Sequence, residues 1–167
     1  ARTAAMTGTA RAISTSAACT YTEYFPAGTV FLAVVDPGVG GERRALAIDA
    51  GGYRFTGPDN GICTGVLASN PQARIHEVTN AGLFRHRVAA TFHARDIFGP
   101  VAGHLARGLP LDQVGPAIDD PVLLAHPVAR SVDEFEWEGA IIQIDRFGNL
   151  TTSVTEAVGN EDRKSVV

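Results

Sequence analysis

Three side chains in loop-forming strings are the first candidates for chemistry. Asp36 opens the string DPGVGG at residues 36–41, Arg43 follows it, and His93 lies in the string TFHARDIF at residues 91–98. Aspartate and histidine are residue types that can exchange protons, and an arginine guanidinium can bind an anion. The local sequence also allows Asp36 as a turn cap, Arg43 as a solvated charge and His93 as a structural histidine.

A second group of residues could hold a ligand. Asp145, Phe147 and Asn149 belong to the string DRFGN at residues 145–149, where the glycine permits close approach of the backbone to a planar ligand. A tight turn explains that string equally well. Asn60, in the string GPDNG, could contact a ligand or cap a helix.

Two other kinds of site have weaker support. Four residues of types that bind cations lie in these loops, namely Asp36, Asp59, His93 and Asp96. Their spacing is not diagnostic of a metal site. The glycine-rich residues 38–41 lack the lysine and the following Ser or Thr of a phosphate-binding loop. On the residues alone, a metal site stays open.

The elements that position these residues can be predicted from hydrophobic periodicity. Residues 29–35 are apolar on both faces, which indicates a buried parallel strand. Residues 45–49 and 53–56 predict a hairpin around two glycines. A helix is expected from a cap at residues 59–60 to about residue 68, and a strand over residues 74–78.

The second half of the chain continues the alternation of strands and helices. Residues 96–107 place apolar side chains on one face of a helix, with Pro100 near its first turn and Gly108 after its end. An apolar strand is expected over residues 139–145. This alternation predicts an α/β fold with a sheet sandwiched by helices, in which ligands bind at the carboxyl ends of strands. Asp36 and Asp145 both lie at such ends.

Composition excludes several classes of function. With 45% hydrophobic residues, 19% charged residues and a net charge of −4, the chain is typical of a globular protein and lacks the basic clusters that bind nucleic acid. No apolar run is long enough to span a bilayer, so we expect no membrane partner. Two distant cysteines indicate reduced thiols, and a cytoplasmic location is the expectation.

Taken together, the strings resemble one family, the S-adenosyl-L-methionine (SAM) hydrolases, also called SAM hydroxide adenosyltransferases. The resemblance rests on motifs in the family's order over roughly residues 24–154: YFPAGTV, VVDPGVG, Arg43 with Arg44, GPDNG, TFHARDIF and DRFGN. It implies attack of water or hydroxide on the ribose C5′ carbon of SAM, giving adenosine and L-methionine. SAM is then the substrate, and no cofactor is required.

The resemblance also implies roles for individual residues. Asp36, Arg43 and His93 match the family's catalytic trio. By that match, Arg43 favours negative charge on the attacking water, while Asp36 and His93 orient the water and accept or relay its proton. Residues of the second group match substrate-binding positions: Asp145 near the methionine amine, Phe147 and Asn149 near adenine, and Asn60.

Related halogenases, the fluorinase and chlorinase, attack the same carbon with halide. They carry an uncharged residue where Asp36 stands, and the fluorinase has a serine where Ala94 stands. A carboxylate would repel halide, so Asp36 and His93 favour water. Family members are trimers whose sites lie between neighbouring subunits, and a homotrimer is therefore expected.

The two ends of the chain depart from the family's pattern. We divide the chain into an unassigned or scrambled start (1–23), a partial α/β catalytic domain (24–132), the start of a carboxy-terminal β domain (133–160) and a non-native tail (161–167). Residues 162–167 look like a translated sequencing adapter, which suggests a gene fragment without activity of its own. The alternatives are a non-catalytic adenosine- or SAM-binding fragment, a SAM-dependent halogenase, and a metal-dependent hydrolase.

Overall fold

A computed structural model describes residues 3–7, 22–125, 129–133 and 136–154. The predicted non-native tail at residues 161–167 lies outside these ranges. The chain divides into two compact units, Ala1–Leu124 and Ala125–Val167. In the described ranges no helix is both long enough and apolar enough to cross a membrane.

The first unit is built on a five-stranded mixed sheet. Its strands are β1 (Thr3–Thr7), β2 (Val30–Val34), β3 (Ala45–Ala50), β4 (Tyr53–Pro58) and β5 (Arg74–Glu77), in the spatial order β1-β2-β4-β3-β5. Strands β1, β2 and β4 are parallel, and β3 is antiparallel to both of its neighbours. The carboxyl ends of β2 and β4 therefore lie at the edge of the sheet where β3 begins.

Helices cover both faces of this sheet. Helix α1 (Thr64–Ser69) packs on one face and helix α2 (Gly99–Ala106) on the other. Alternation along β2 and β3 divides the core accordingly, since Val30 and Ala47 pack with α2 while Phe31 and Ile48 pack with α1. The predicted α/β fold with a sheet between helices is confirmed.

Most predicted strands are observed near their expected bounds. The strand before Asp36 is parallel and buried, as its apolar run indicates. Ala50 pairs with Tyr53 across Gly51 and Gly52, whose φ angles of 61° and 83° are in the region that glycine adopts without strain. The predicted hairpin is confirmed.

The predicted start of the first helix was wrong. Helix α1 begins at Thr64, with Cys63 at the capping position, and not at residues 59–60. The side chains of Asp59 and Asn60 are engaged with Arg44 and with the Val35 carbonyl, so neither caps the helix. These bonds link residues distant in sequence and outcompete the local cap.

The second predicted helix begins differently from its expected form. Residues Ala94–Phe98 form a π-helical turn that leads into α2. Pro100 has no N–H to donate to the Asp96 carbonyl four residues earlier, and the Arg85 N–H donates to that carbonyl instead, at 2.9 Å. Gly108, with φ 95°, follows the end of α2 as predicted.

The second unit contains two short antiparallel pairs. Strand β6 (Arg130–Ser131) pairs with β7 (Trp137–Glu138), and β8 (Ile141–Ile144) pairs with β9 (Leu150–Thr152). Strand β8 lies inside the apolar run predicted over residues 139–145. The string DRFGN forms the turn between β8 and β9.

Candidate active site

The three catalytic candidates meet at one edge of the sheet. Asp36 follows β2, Arg43 precedes β3, and the connection between them turns at this edge. His93 stands immediately before the π-helical turn. The connection is also packed against the segment of His93, because a Cβ placed on Gly40 would lie 2.6 Å from the Ala90 carbonyl oxygen. A glycine at this position allows the two segments to approach.

Asp36 and Arg43 form a two-pronged ion pair. The Arg43 Nε donates to both carboxylate oxygens of Asp36, at 3.0 and 3.1 Å, and Nη2 also donates to Oδ2. Their side chains are only 6% and 12% exposed, respectively. Charge-assisted bonds of this planar kind are strong and fix orientation. The default interpretation of Arg43 as a solvated charge is wrong.

His93 joins this pair through Arg43. The Arg43 Nη2 lies 2.9 Å from His93 Nδ1. Because a guanidinium has only donors, Nδ1 must accept this bond and the neutral ring carries its proton on Nε2. Arg43 is further held by Phe98, whose ring centroid lies 5.1 Å from its Cζ. Arg43 therefore contacts both Asp36 and His93, and the catalytic role of the three residues stays a prediction.

Three groups of this arrangement can form hydrogen bonds to a water molecule. None of the described residues accepts a hydrogen bond from Arg43 Nη1, so this N–H group can donate to a bound water. The His93 Nε2–H is a second donor, and the lone pairs of Asp36 that Arg43 does not use are acceptors. Two donors and a carboxylate can hold a water molecule and take up its proton.

Asn60 lies beside this site with both ends of its amide engaged. Its Nδ2 donates to the Val35 carbonyl at 2.8 Å, and its Oδ1 accepts from the Ile62 N–H at 3.2 Å. The structure thus places Asn60 near Asp36, through the backbone of the preceding residue. Its predicted substrate contact stays a prediction.

Arg44 is part of a second ion-pair network that local sequence did not indicate. Its Nε donates to Asp59 at 2.8 Å and its Nη1 to Asp120 at 2.7 Å. The Arg44 bonds hold the pKa of the Asp120 carboxyl below its usual range. Asp120 lies 76 residues from Arg44 in sequence, so only the fold brings them together.

Arg95 and Asp96 form an ion pair, and Asp96 does not cap a helix. Arg95 donates to both Asp96 oxygens at 2.7 and 2.9 Å, and the Ala89 N–H donates to Oδ2 at 2.9 Å. Hydrogen bonds from Arg95, then from Ala89, hold the pKa of the fully buried Asp96 carboxyl well below its usual range. Asp96 thereby fixes the segment on the amino-terminal side of His93.

The substrate-binding candidates of the second unit form one turn. Asp145 Oδ1 accepts from the N–H groups of Phe147 and Asn149 at 2.8 and 2.9 Å, and Oδ2 accepts from Asn149 Nδ2 at 2.7 Å. Bonds from the Asn149 side chain and backbone lower the pKa of the Asp145 carboxyl. Phe147 is 76% exposed at the tip of this turn. Its ring is available for stacking, with Arg146 over one face at 4.7 Å.

The four candidates for a metal centre, Asp36, Asp59, His93 and Asp96, do not form one cluster in the described ranges. Within them no three His, Cys, Asp or Glu residues lie close enough together to hold a metal ion. Asp59 and Asp96 are occupied by Arg44 and Arg95 instead.

Comparison with known proteins defines the family. The profile of the SAM hydroxide adenosyltransferase N-terminal domain matches residues 9–115, more than half of the chain. The chain belongs to the SAM hydroxide adenosyltransferase family. An (R)-S-adenosyl-L-methionine hydrolase from Salinispora tropica is 44% identical over 129 residues, which cover 76% of this chain and 49% of that protein. A protein of the same name from Thermus thermophilus is 40% identical over 142 residues, covering 80% and 54%.

More distant relatives and a solved structure extend the comparison. A fluorinase from Actinoplanes is 29% identical over 157 residues, covering 78% of this chain and 52% of that protein. The crystal structure of an uncharacterized conserved protein from Thermotoga maritima matches with a TM-score of 0.75 and 37% identity, covering 88% of this chain and 57% of that one. This member of the SAM hydroxide adenosyltransferase family thus spans about half the length of the relatives it matches.

Proposed function

We propose that the protein represented by this chain hydrolyses SAM to adenosine and L-methionine. The observation that carries the proposal is the contact of Asp36, Arg43 and His93. These polar side chains can orient and deprotonate a water molecule, and hydrogen bonds of Arg43 join them. Two relatives at 44% and 40% identity are named SAM hydrolases, which supports the same substrate here. The sulfonium of SAM is a good leaving group, so the protein need only align and activate water.

The reaction is a substitution at the ribose C5′ carbon. The water oxygen forms a bond to C5′ while the bond from C5′ to sulfur breaks, and its electron pair leaves with the methionine sulfur. One proton of the water passes to Asp36. His93 donates through Nε2 and orients the water, because its Nδ1 accepts from Arg43. Arg43 Nη1, which donates to none of the described residues, stabilises the negative charge that develops on the attacking oxygen.

Substrate binding is assigned to the turn of the second unit. Its hydrogen bonds keep Asp145 ionised, which suits the ammonium group of the methionine moiety. Phe147 is exposed and can stack on adenine, and Asn149 can donate or accept at the edge of the base. We propose a homotrimer in which such a turn completes the site of a neighbouring subunit.

A SAM-dependent halogenase is the second candidate, because a fluorinase is among the relatives. A halide ion at the position of the attacking water would face the Asp36 carboxylate, and Ala94 offers no hydroxyl group to bind it. This favours water. A non-catalytic SAM- or adenosine-binding protein would bind the ligand without forming products.

The test is product analysis after incubation with SAM. Two proteins are compared: the chain itself, and a version extended with the remaining carboxy-terminal portion of the Salinispora tropica relative. We expect adenosine and methionine from the extended protein, and their loss on Asp36→Ala. Asp49→Ala is the matched control, because Asp49 pairs with Arg74 at 2.7 Å at the opposite end of β3. Formation of 5′-chloro-5′-deoxyadenosine in chloride buffer, or of neither this product nor adenosine by the extended protein, would contradict the proposal.

A further inference from the structure

The loop that follows β4 holds the backbone beside Asp36. Asn60 Nδ2 donates to the Val35 carbonyl at 2.8 Å, while Asn60 Oδ1 is bound by the Ile62 N–H at 3.2 Å. The Val35 carbonyl belongs to the peptide unit that joins Val35 to Asp36. This bond therefore restrains the position and direction from which the Asp36 side chain projects.

The preceding residue of the same loop holds the backbone beside Arg43. The Asp59 N–H donates to the Arg44 carbonyl at 2.9 Å, and Asp59 Oδ2 accepts from Arg44 Nε at 2.8 Å. Its Oδ1 accepts from the Val122 N–H at 2.8 Å, and its side chain is only 2% exposed. Arg44 is thus fixed through its backbone and its side chain, and Arg43 is its neighbour in the chain.

Between these two anchors the chain is intrinsically adaptable. Residues 37–42 include three glycines, and the exposed Gly40 has φ 80°. Glycine loses more conformational freedom on folding than other residues, so such a loop does not by itself fix the ends it joins. The ion pair of Asp36 and Arg43 requires both ends in place, because hydrogen bonds weaken steeply when their angle departs from linearity.

From these contacts we propose that Asp59 and Asn60 are positioning residues for the attack of water. Asn60 restrains the Asp36 side of the ion pair, and Asp59 restrains the Arg43 side. The kinetic part of this inference rests on the proposed hydrolysis of SAM. Asn60 then acts on the reaction through Asp36, and its amide does not contact the substrate. Asp59 acts through Arg44 on Arg43 and, by the bond of Arg43 to Nδ1, on the tautomer of His93.

Isosteric substitutions of Asn60 and Asp59 remove or weaken these positioning hydrogen bonds one residue at a time. Asn60→Asp keeps the oxygen that accepts from Ile62 but places a second oxygen against the Val35 carbonyl. Asn80→Asp is a closely matched control, because Asn80 Oδ1 also accepts from an N–H two residues later, Gly82, and its Nδ2 donates to the Gln113 carbonyl at 2.9 Å. Asp59→Asn weakens the bond to Arg44.

The kinetic readout separates positioning from binding. In the extended protein we expect kcat to fall on the order of 100-fold in Asn60→Asp and Asp59→Asn, the cost of about 1 Å of misplacement. KM for SAM should stay within about threefold, since ground-state contacts are retained. Asn80→Asp should leave both values unchanged. A rise in KM with kcat retained in Asn60→Asp would assign Asn60 to substrate binding and overturn the proposal.

A spectroscopic readout on the 167-residue chain does not depend on activity. Nitrogen chemical shifts of labelled histidines, recorded at about pH 8, report which ring nitrogen carries the proton. We expect the Nε2–H tautomer for His93. His76, whose Nδ1 donates to the Gly115 carbonyl at 2.8 Å, should show the opposite tautomer and serves as an internal standard.

If Asp59 and Asn60 position the Asp36 and Arg43 pair, their substitution should change the His93 chemical shifts. Asn60→Asp and Asp59→Asn should convert His93 to a mixture of tautomers while His76 is unchanged. An unaltered His93 in both folded variants would overturn the proposal, whatever the kinetics. Loss of the His76 signature as well would indicate general unfolding and would also count against positioning. If the extended protein forms no adenosine but the His93 chemical shifts change in the variants, the proposed function is wrong and the positioning role of Asp59 and Asn60 is supported.

Discussion

Replacing Arg43 with lysine keeps one positive charge near Asp36 but removes the planar fork that joins three groups. Arg43 Nε donates to both Asp36 oxygens at 3.0 and 3.1 Å, while Nη2 reaches Asp36 and, at 2.9 Å, His93 Nδ1. A single ammonium nitrogen cannot occupy both donor positions, so Arg43→Lys loses the bond to His93 or part of the bond to Asp36. It also loses the guanidinium that lies over Phe98.

The expected effect follows from the loss of the donor aimed at the attacking oxygen. Removing one such donor costs about 3 kcal/mol of transition-state stabilisation, on the order of 100-fold in kcat. Adenosine formation by the extended protein measures this effect. Arg74→Lys is the control, because the Arg74 side chain is 67% exposed and pairs only with Asp49 among the described residues. A kcat within a few-fold of the parent value would refute the role given to Arg43.

Three further predictions concern the loop, the pH dependence of stability and the reaction medium. Gly40→Ala should destabilise the fold by more than Gly52→Ala in thermal unfolding: both glycines have φ near 80°, but only the Cβ at Gly40 meets the Ala90 oxygen, at 2.6 Å. Because Arg95 lowers the pKa of Asp96, that carboxyl contributes stability which is fully present above its ordinary pKa of about 4 and is lost as the pH falls below that value. Asp96→Asn should flatten this acid dependence in unfolding curves. A chelator should leave adenosine formation unchanged, and a loss of activity that added metal restores would favour the metal-dependent alternative.

The parts of the fold that sequence predicted are those set by local patterns. The apolar run before Asp36 can only be buried on both faces, and paired glycines fit a hairpin. The helix start near Asp59 and Asn60 could not be predicted, because both side chains are used in bonds to residues 15 to 63 positions away. The π-helical turn before α2 occurs with a hydrogen bond from the Arg85 N–H to the Asp96 carbonyl, a contact that no local sequence pattern indicates.

In the candidate site, too, a contact between residues close in sequence could be predicted, whereas contacts between distant residues could not. Asp36 and Arg43 are seven residues apart around a glycine-rich turn, so their contact was within reach of sequence reasoning. His93 is 50 residues from Arg43, and only the family resemblance linked the two. The sequence did not indicate that Asp120 pairs with Arg44, because this contact depends on the path that residues 119–124 take beside the loop after β4.

The most direct test of the central claim is the fate of the attacking oxygen. SAM is incubated with the extended protein in water enriched in oxygen-18, and the adenosine is analysed by mass spectrometry. The account predicts one heavy oxygen, at the 5′ position, with equimolar methionine and no label in adenosine added as a bystander. Adenosine without label, or no adenosine from a folded protein, would contradict the proposal that Asp36, Arg43 and His93 direct water to C5′.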